Sequence, residues 1–203
     1  KTEEGREEHT ILIGPAPAFI GRINDIFRYV LYIKNPDYDI LIRLKNRMER
    51  FLNSHGRKLL GWDEILDGGL APNATVMSWR GTEGGLAAIR SGHKAIMSPG
   101  QYCYLDGYQD APYSQPEAIG GYLPLKKVYG YEPVPDSLSA DEAKLMYGVQ
   151  ANLWTEYIPT EEHAEYMLYP RAIALAEVAW SKPENKSWED FHRRALKIVD
   201  ELK

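Results

Sequence analysis

The segment Arg57-Lys58-Leu59-Leu60-Gly61-Trp62-Asp63-Glu64 decides the fold: a short apolar run ends in an aromatic and two carboxylates. The same grammar recurs downstream. Ala74 to Trp79 predicts a second buried strand closed by Arg80-Gly81, and His93 to Ser98 a third. Gly148 to Trp154 predicts a fourth, with Glu156 just beyond it. Between the second and third, Glu83 to Ser91 carries Leu86 and Ile89 at helical spacing and stops at Gly92. Two helices are expected at the end, over about 161–179 and 188–202, with Thr160 and the Glu161-Glu162 pair starting the first. Strands that alternate with helices indicate parallel βα units, hence an α/β fold.

Working outward, the polar and aromatic residues gather where each predicted strand ends. In a βα barrel that end collects the ligand-binding loops. Trp62, Trp79, the Tyr102–Asp106 loop, and Trp154 with Glu156 therefore converge on one candidate pocket. Any one of these aromatics taken alone reads as ordinary core. Four in register, in a chain with 14 Tyr and five Trp, favour a carbohydrate site. A sugar offers an apolar face for stacking and hydroxyls for charged acceptors.

The first 54 residues follow another pattern. Thr10–Ile13 and Phe27–Ile33 read as strands, with a turn at Gly14-Pro15-Ala16-Pro17, and Asn35-Pro36-Asp37 opens a helix reaching about Asn53. The expected organisation is a ββα unit over 1–54 followed by an α/β domain over 55–203.

Composition narrows the chemistry. A formal charge of -5 gives no global attraction for nucleic acid. No apolar run reaches the ~18 residues of a membrane span. The single cysteine, Cys103, excludes an internal disulfide. His55, His93, His163 and His192 lack metal-ligand spacing, and His9 lies in a charged stretch, so neither metal nor cofactor is expected. The Gly84-Gly85 and Gly120-Gly121 pairs fit turns rather than a phosphate-binding loop.

Four ordered motifs carry a resemblance: Gly61-Trp62-Asp63-Glu64-Ile65-Leu66, Val76-Met77-Ser78-Trp79-Arg80-Gly81, Tyr104-Leu105-Asp106, and Ala151-Asn152-Leu153-Trp154-Thr155-Glu156. Together with Tyr169-Pro170-Arg171 and Ala176 to Trp180 they resemble the β-N-acetylhexosaminidases of glycoside hydrolase family 20. The resemblance implies half of a (β/α)8 TIM-type barrel, strands 5–8, over residues 55–203. It implies retaining, substrate-assisted cleavage of terminal N-acetylhexosamine, in which the 2-acetamido oxygen is the nucleophile. By motif, Trp62, Trp79 and Trp154 would box the acetamido group and sugar face. Tyr104 would donate to the acetamido oxygen, and Asp106 and Glu156 would accept from hydroxyls. The implied partners are N-acetylhexosamine-containing glycans, and the family suggests a periplasmic or secreted bacterial setting.

One family element has no counterpart. The catalytic pair in the motif His-x-Gly-Gly-Asp-Glu does not occur in this sequence. Asp63-Glu64 is a rim element, or at most a weak substitute acid. The chain is thus expected to hold a sugar pocket without its general acid. Open barrel edges lead to the expectation of a homo-oligomer or of a separately supplied barrel half. Ile13 to Pro17, Ile20 to Ile23 and Phe27 to Tyr29 also resemble the end of a primosomal replication helicase, which leaves a non-enzymatic chimeric or structural module as the alternative.

Overall fold

The computed structural model describes residues 10–23 and 26–201; the charged stretch of residues 1–9, including His9, lies outside them. It divides into two compact units, residues 1–59 with 68–73, and residues 60–67 with 74–203.

In the first unit, β1 (Ile11–Ile23) pairs antiparallel with β2 (Ile26–Lys34). The turn expected at Gly14–Pro17 is instead part of β1. The Gly14-Pro15 pair drops out of the ladder without reversing the chain, and the register shifts between Ile13 and Ala16 and again between Pro17 and Arg22. Prolines lack the ladder donor and are accommodated at such irregularities. Helix α1 (Tyr38–Ser54) starts where the sequence predicts, because the Asp37 carboxylate caps the Asp39 amide at 3.0 Å. Its Glu49 is buried yet satisfied, accepting from the Asn73 amide at 3.2 Å.

The second unit is built on one parallel sheet in sequential order: β3 (Leu60–Trp62), β4 (Thr75–Ser78), β5 (Ala95–Met97) and β6 (Met146–Val149). Helix α2 (Glu83–Arg90) crosses from β4 to β5. Gly84 and Gly85 lie inside α2 rather than in a turn. A Cβ on Gly84 would come within 2.9 Å of the Asp63 Cβ, and one on Gly85 within 2.7 Å of the Met97 side chain. Close helix–strand packing, not backbone reversal, requires these glycines. The long connection after β5 holds α3 (Gly100–Cys103), α4 (Leu125–Tyr129) and α5 (Ala140–Ala143), three short helices with too few residues for a periodic signal.

Past β6 the expected strand continues as irregular backbone. Asn152 pairs with Tyr104 rather than with β5: its amide donates to the Cys103 carbonyl at 2.8 Å, and its carbonyl accepts from the Leu105 amide at 2.7 Å. The helix expected over 161–179 is two helices, α6 (Glu161–Leu168) and α7 (Arg171–Trp180). Pro170 explains the break. The residue before a proline is driven out of the helical region, and Tyr169 sits at φ -98°, ψ 140°. Thr160 caps α6 through the His163 amide, as its sequence position suggests.

The main core packs Met97, Leu105, Val128 and Tyr129 against Ala174, Leu175 and Val178 of α7 and against Phe191 of α8 (Trp188–Glu201). Phe191 is fully buried and stacks on Tyr129 at 4.3 Å. This core lies under the loop that follows β5 and so fixes the floor on which Tyr104 and Asp106 stand. Among the described residues, no helix is long and apolar enough to cross a membrane.

Candidate active site

Two walls of the site begin at strand tips and two in the irregular backbone beyond them. Trp62 ends β3, Trp79 follows β4, Tyr104 follows α3, and Trp154 lies just past the Asn152 bridge. Ring centroids of Trp62 and Trp79 are 6.5 Å apart and nearly perpendicular; Trp62 and Trp154 are 6.4 Å apart; Trp79 and Tyr104 are 6.2 Å apart and close to parallel. These are the spacings of an aromatic cluster in mutual contact, here left open on one side. The four rings line a cleft of about 1170 Å³ together with Glu64, Asp106 and Glu156.

The Asp63-Glu64 pair divides its work. Asp63 is buried and accepts from the Trp79 amide at 3.2 Å, the Arg80 amide at 3.3 Å and the Arg80 Nε at 2.6 Å. Its lone pairs are committed to tying the tip of β3 to the tip of β4. Glu64 is exposed to the cleft and accepts the Trp79 indole N–H at 3.0 Å, which fixes the orientation of one aromatic wall. The pair therefore builds the pocket, and no free proton donor is left on Asp63.

Asp106 is the opposite case. Its side chain is 4% exposed, lines the cleft, and leaves Oδ1 without a hydrogen-bond partner. Burial raises its pKa above the ordinary aspartate value and the charge of Glu156 adds to the rise, while its own backbone amide and Arg171 act in the other direction. A buried acceptor without a donor is costly, and it marks where a ligand hydroxyl would be welcome. Burial also raises the Tyr104 phenol, against a hydrogen bond to Trp154, so at neutral pH the hydroxyl keeps its proton and can donate.

Beneath Asp106 lies a residue whose importance the strand-tip pattern does not reveal. Arg171, at the start of α7, is wholly buried. Its guanidinium donates to the carbonyls of Leu105 (2.5 Å), Gly107 (2.9 Å), Leu123 (3.0 Å) and Met167 (2.6 Å). Burial lowers its pKa to about 10, which still leaves it charged at neutral pH. One visible signal is a lone cation opening the apolar run Ala172 to Ala176. A polar network supports the opposite side: Asn152 Nδ2 donates to Ser98 Oγ at 2.5 Å, and Gln150 Nε2 to Asn152 Oδ1 at 2.9 Å.

All six residues expected to touch sugar thus border one cleft, and Glu64 joins them. The segment from Ile119 to Leu123, with Gln101 and Lys127, also lines it; the sequence reading assigned these residues no role. Among the described residues, no group of three His, Cys, Asp or Glu side chains could hold a metal ion.

The glycosyl hydrolase family 20 catalytic domain matches residues 35–183. A beta-hexosaminidase of Porphyromonas gingivalis is 53% identical over 147 residues, 72% of this chain and 19% of that protein. A beta-N-acetylhexosaminidase of Cellulomonas fimi is 32% identical over 161 residues, 78% of this chain and 32% of that protein. The solved exo-β-N-acetylglucosaminidase of Vibrio harveyi, in complex with N-acetylglucosamine, superposes with a TM-score of 0.71 at 32% identity, over 82% of this chain and 27% of that one. The chain therefore spans between 19% and 32% of the length of these two curated relatives. The sheet β3 to β6, with its helices, is a partial TIM-barrel fold, and the chain belongs to glycosyl hydrolase family 20.

Proposed function

We propose that this chain supplies the sugar-holding wall of a retaining, substrate-assisted β-N-acetylhexosaminidase and, taken alone, binds N-acetylhexosamine without hydrolysing it. The observation that carries the reading is the aromatic box set beside the buried Asp106, whose Oδ1 has no hydrogen-bond partner. In this reading Trp62, Trp79 and Trp154 enclose the acetamido methyl and the apolar sugar face. Tyr104 donates to the acetamido oxygen, stabilising it as it closes on the anomeric carbon. Holding that oxygen under the reacting carbon is a proximity effect. Asp106 and Glu156 accept from ring hydroxyls. Proton delivery to the leaving oxygen falls to the family's Asp-Glu pair, whose motif this sequence lacks. Loss of such an acid costs about 10²–10⁴-fold. A periplasmic or secreted setting goes with this reading. The helicase-like segments lie in the β1–β2 hairpin, upstream of the matched residues 35–183, and within this proposal they add a structural module rather than an activity.

The test is hydrolysis of a chromogenic N-acetyl-β-glucosaminide at high protein concentration, alongside calorimetric titration of N-acetylglucosamine. Heat of binding without turnover is expected, with binding lost in Glu156→Gln or Trp154→Ala. Turnover abolished by Glu64→Gln would overturn the claim that the acid is missing. No detectable binding would overturn the sugar pocket itself.

A further inference from the structure

We propose that the cavity bounded by α6, the loop over 109–115 and the end of α8 is a separate binding site for a protonated amino sugar, a hexosamine without its acetyl group. The choice of a sugar to carry the ammonium rests on the sugar-pocket reading above. The cavity measures about 700 Å³ and shares no lining residue with the cleft. That volume suits one small ligand. Leu125, Pro170 and Val199 give it an apolar lining. Tyr166 and Tyr169 add two aromatic rings, both still open to solvent, at 41% and 37% exposure. Asp110, Glu162 and Glu165 complete it, and no Lys, Arg or His is among the described residues that line it.

The sequence builds this place locally. Glu162, Glu165, Tyr166 and Tyr169 recur three or four positions apart, the spacing of one helix face. Ala164 and Met167, on the other face, pack against Ala118 and Ile158 and so fix which way α6 is turned. The loop is tied to the helix at two points. Gln109 Nε2 donates to the Tyr166 carbonyl at 2.5 Å, and the Tyr166 hydroxyl donates to Gln115 Oε1. Tyr166 is therefore held before any ligand arrives, which lowers the ordering cost of binding.

Charge then selects the ligand. Its own backbone amide and the Thr160 hydroxyl hold the Glu162 carboxyl below its ordinary pKa, so it is ionised at neutral pH. Among the described residues, the ion pairs are made by other carboxylates than these three. No group of three His, Cys, Asp or Glu side chains among those residues could hold a metal ion, so compensation falls to an organic cation. An ammonium gains from carboxylates and from a ring face within about 6 Å. A deacetylated hexosamine offers that ammonium at C2, together with an apolar ring face for a tyrosine. The chain thereby has separate sites for the two forms of one sugar, the acetamido form in the cleft and the ammonium form here.

The probes are glucosamine, N-acetylglucosamine and tetramethylammonium, each titrated calorimetrically into the intact chain just below neutral pH, with thermal melting as the check on folding. Glucosamine is expected to bind, and Tyr169→Ala to weaken it about fivefold, the scale of one cation–π contact. The double variant Asp110→Asn with Glu165→Gln should weaken it about tenfold. It keeps the shape of both side chains, and the asparagine oxygen can still accept the Ala111 amide. Both variants should leave N-acetylglucosamine affinity unchanged, and Trp154→Ala should leave glucosamine affinity unchanged. Absence of glucosamine binding would overturn the site, as would binding that survives the double variant and is lost in Trp154→Ala. Tetramethylammonium binding as tightly as glucosamine would overturn the amino sugar as the ligand. Failure of N-acetylglucosamine alone to bind would count against the cleft reading, while glucosamine binding with the stated variant effects would uphold this site.

Discussion

The Asp106 carboxylate is buried, bears on the cleft, and has one oxygen without a donor. Its raised pKa means that the folded chain holds this proton to higher pH than the unfolded chain does. Between the ordinary carboxylate pKa and the raised one, the native state binds more protons, so stability falls as pH rises through that window. Above it the full penalty for a buried charge applies. Asp106→Asn removes the charge and keeps the shape. At pH 7 it should stabilise the chain by about 1 kcal/mol in urea denaturation, and the gain should vanish below the ordinary carboxylate range, where Asp106 is protonated in both states. The same variant should weaken N-acetylglucosamine binding by roughly tenfold or more, because a charged acceptor is lost from the site. Lower stability of the variant at pH 7 would mean that the attraction of Arg171 outweighs desolvation. Asp63 makes the contrasting prediction. Its oxygens hold the Trp79 and Arg80 amides and the Arg80 side chain, so Asp63→Ala should destabilise by about 2–3 kcal/mol in the same assay. Glu64→Gln should stay within ~0.5 kcal/mol, since its side chain is exposed and the amide oxygen still accepts from Trp79.

Helix α7 shows how one element joins the core to the site. Ala174, Leu175 and Val178 face the core, and at its first turn Arg171 reaches four backbone carbonyls, three from two loop segments and one from α6. A lysine cannot reproduce that planar fork. Arg171→Lys should cost about 3–5 kcal/mol, the scale of breaking a buried charged network, and should lower affinity for N-acetylglucosamine. Unchanged stability in denaturant would show that the carbonyls find other donors. This arrangement was out of reach in the sequence, where the four accepting carbonyls lie between residues 105 and 167 and carry no side-chain signature. What could be read was local. Strand tips at Trp62 and Trp79 declare themselves by an apolar run followed by an aromatic, and α1 and α6 by Asp37 and Thr160 at their starts, whereas Trp154 lies in irregular backbone beyond β6. Where local preference was decided by contact, the reading failed: Gly84-Gly85 packs in α2 against Asp63 and Met97 instead of turning, and residues 14–17 stay in β1. Pro170, by contrast, was a legible signal that the apolar periodicity over 161–179 overrode.

At the scale of the whole chain, sheet β3–β6 has one pairing neighbour for β3 and one for β6 among the described residues. Each of these edge strands also presents a large apolar side chain to solvent: Leu60 is 47% exposed on β3 and Tyr147 66% exposed on β6. Unpaired strand edges template further pairing, and a βα sheet of this kind closes only when strands meet at both edges. A second copy offers both edges at once, since the β3 of one chain can pair with the β6 of another. The expected state at micromolar concentration is therefore a dimer or larger assembly, read by light scattering behind size exclusion. Leu60→Lys should shift it toward monomer by placing a charge on the β3 edge, leaving the aromatic box in place. Adding the preceding half of a family barrel as a separate chain should compete with self-association and, by supplying the Asp-Glu pair, bring turnover of the chromogenic substrate. A compact, stable monomer in the unmodified chain would overturn self-association as the way these edges are covered. A monomer that still gains activity with the added half would assign the edges to that half alone.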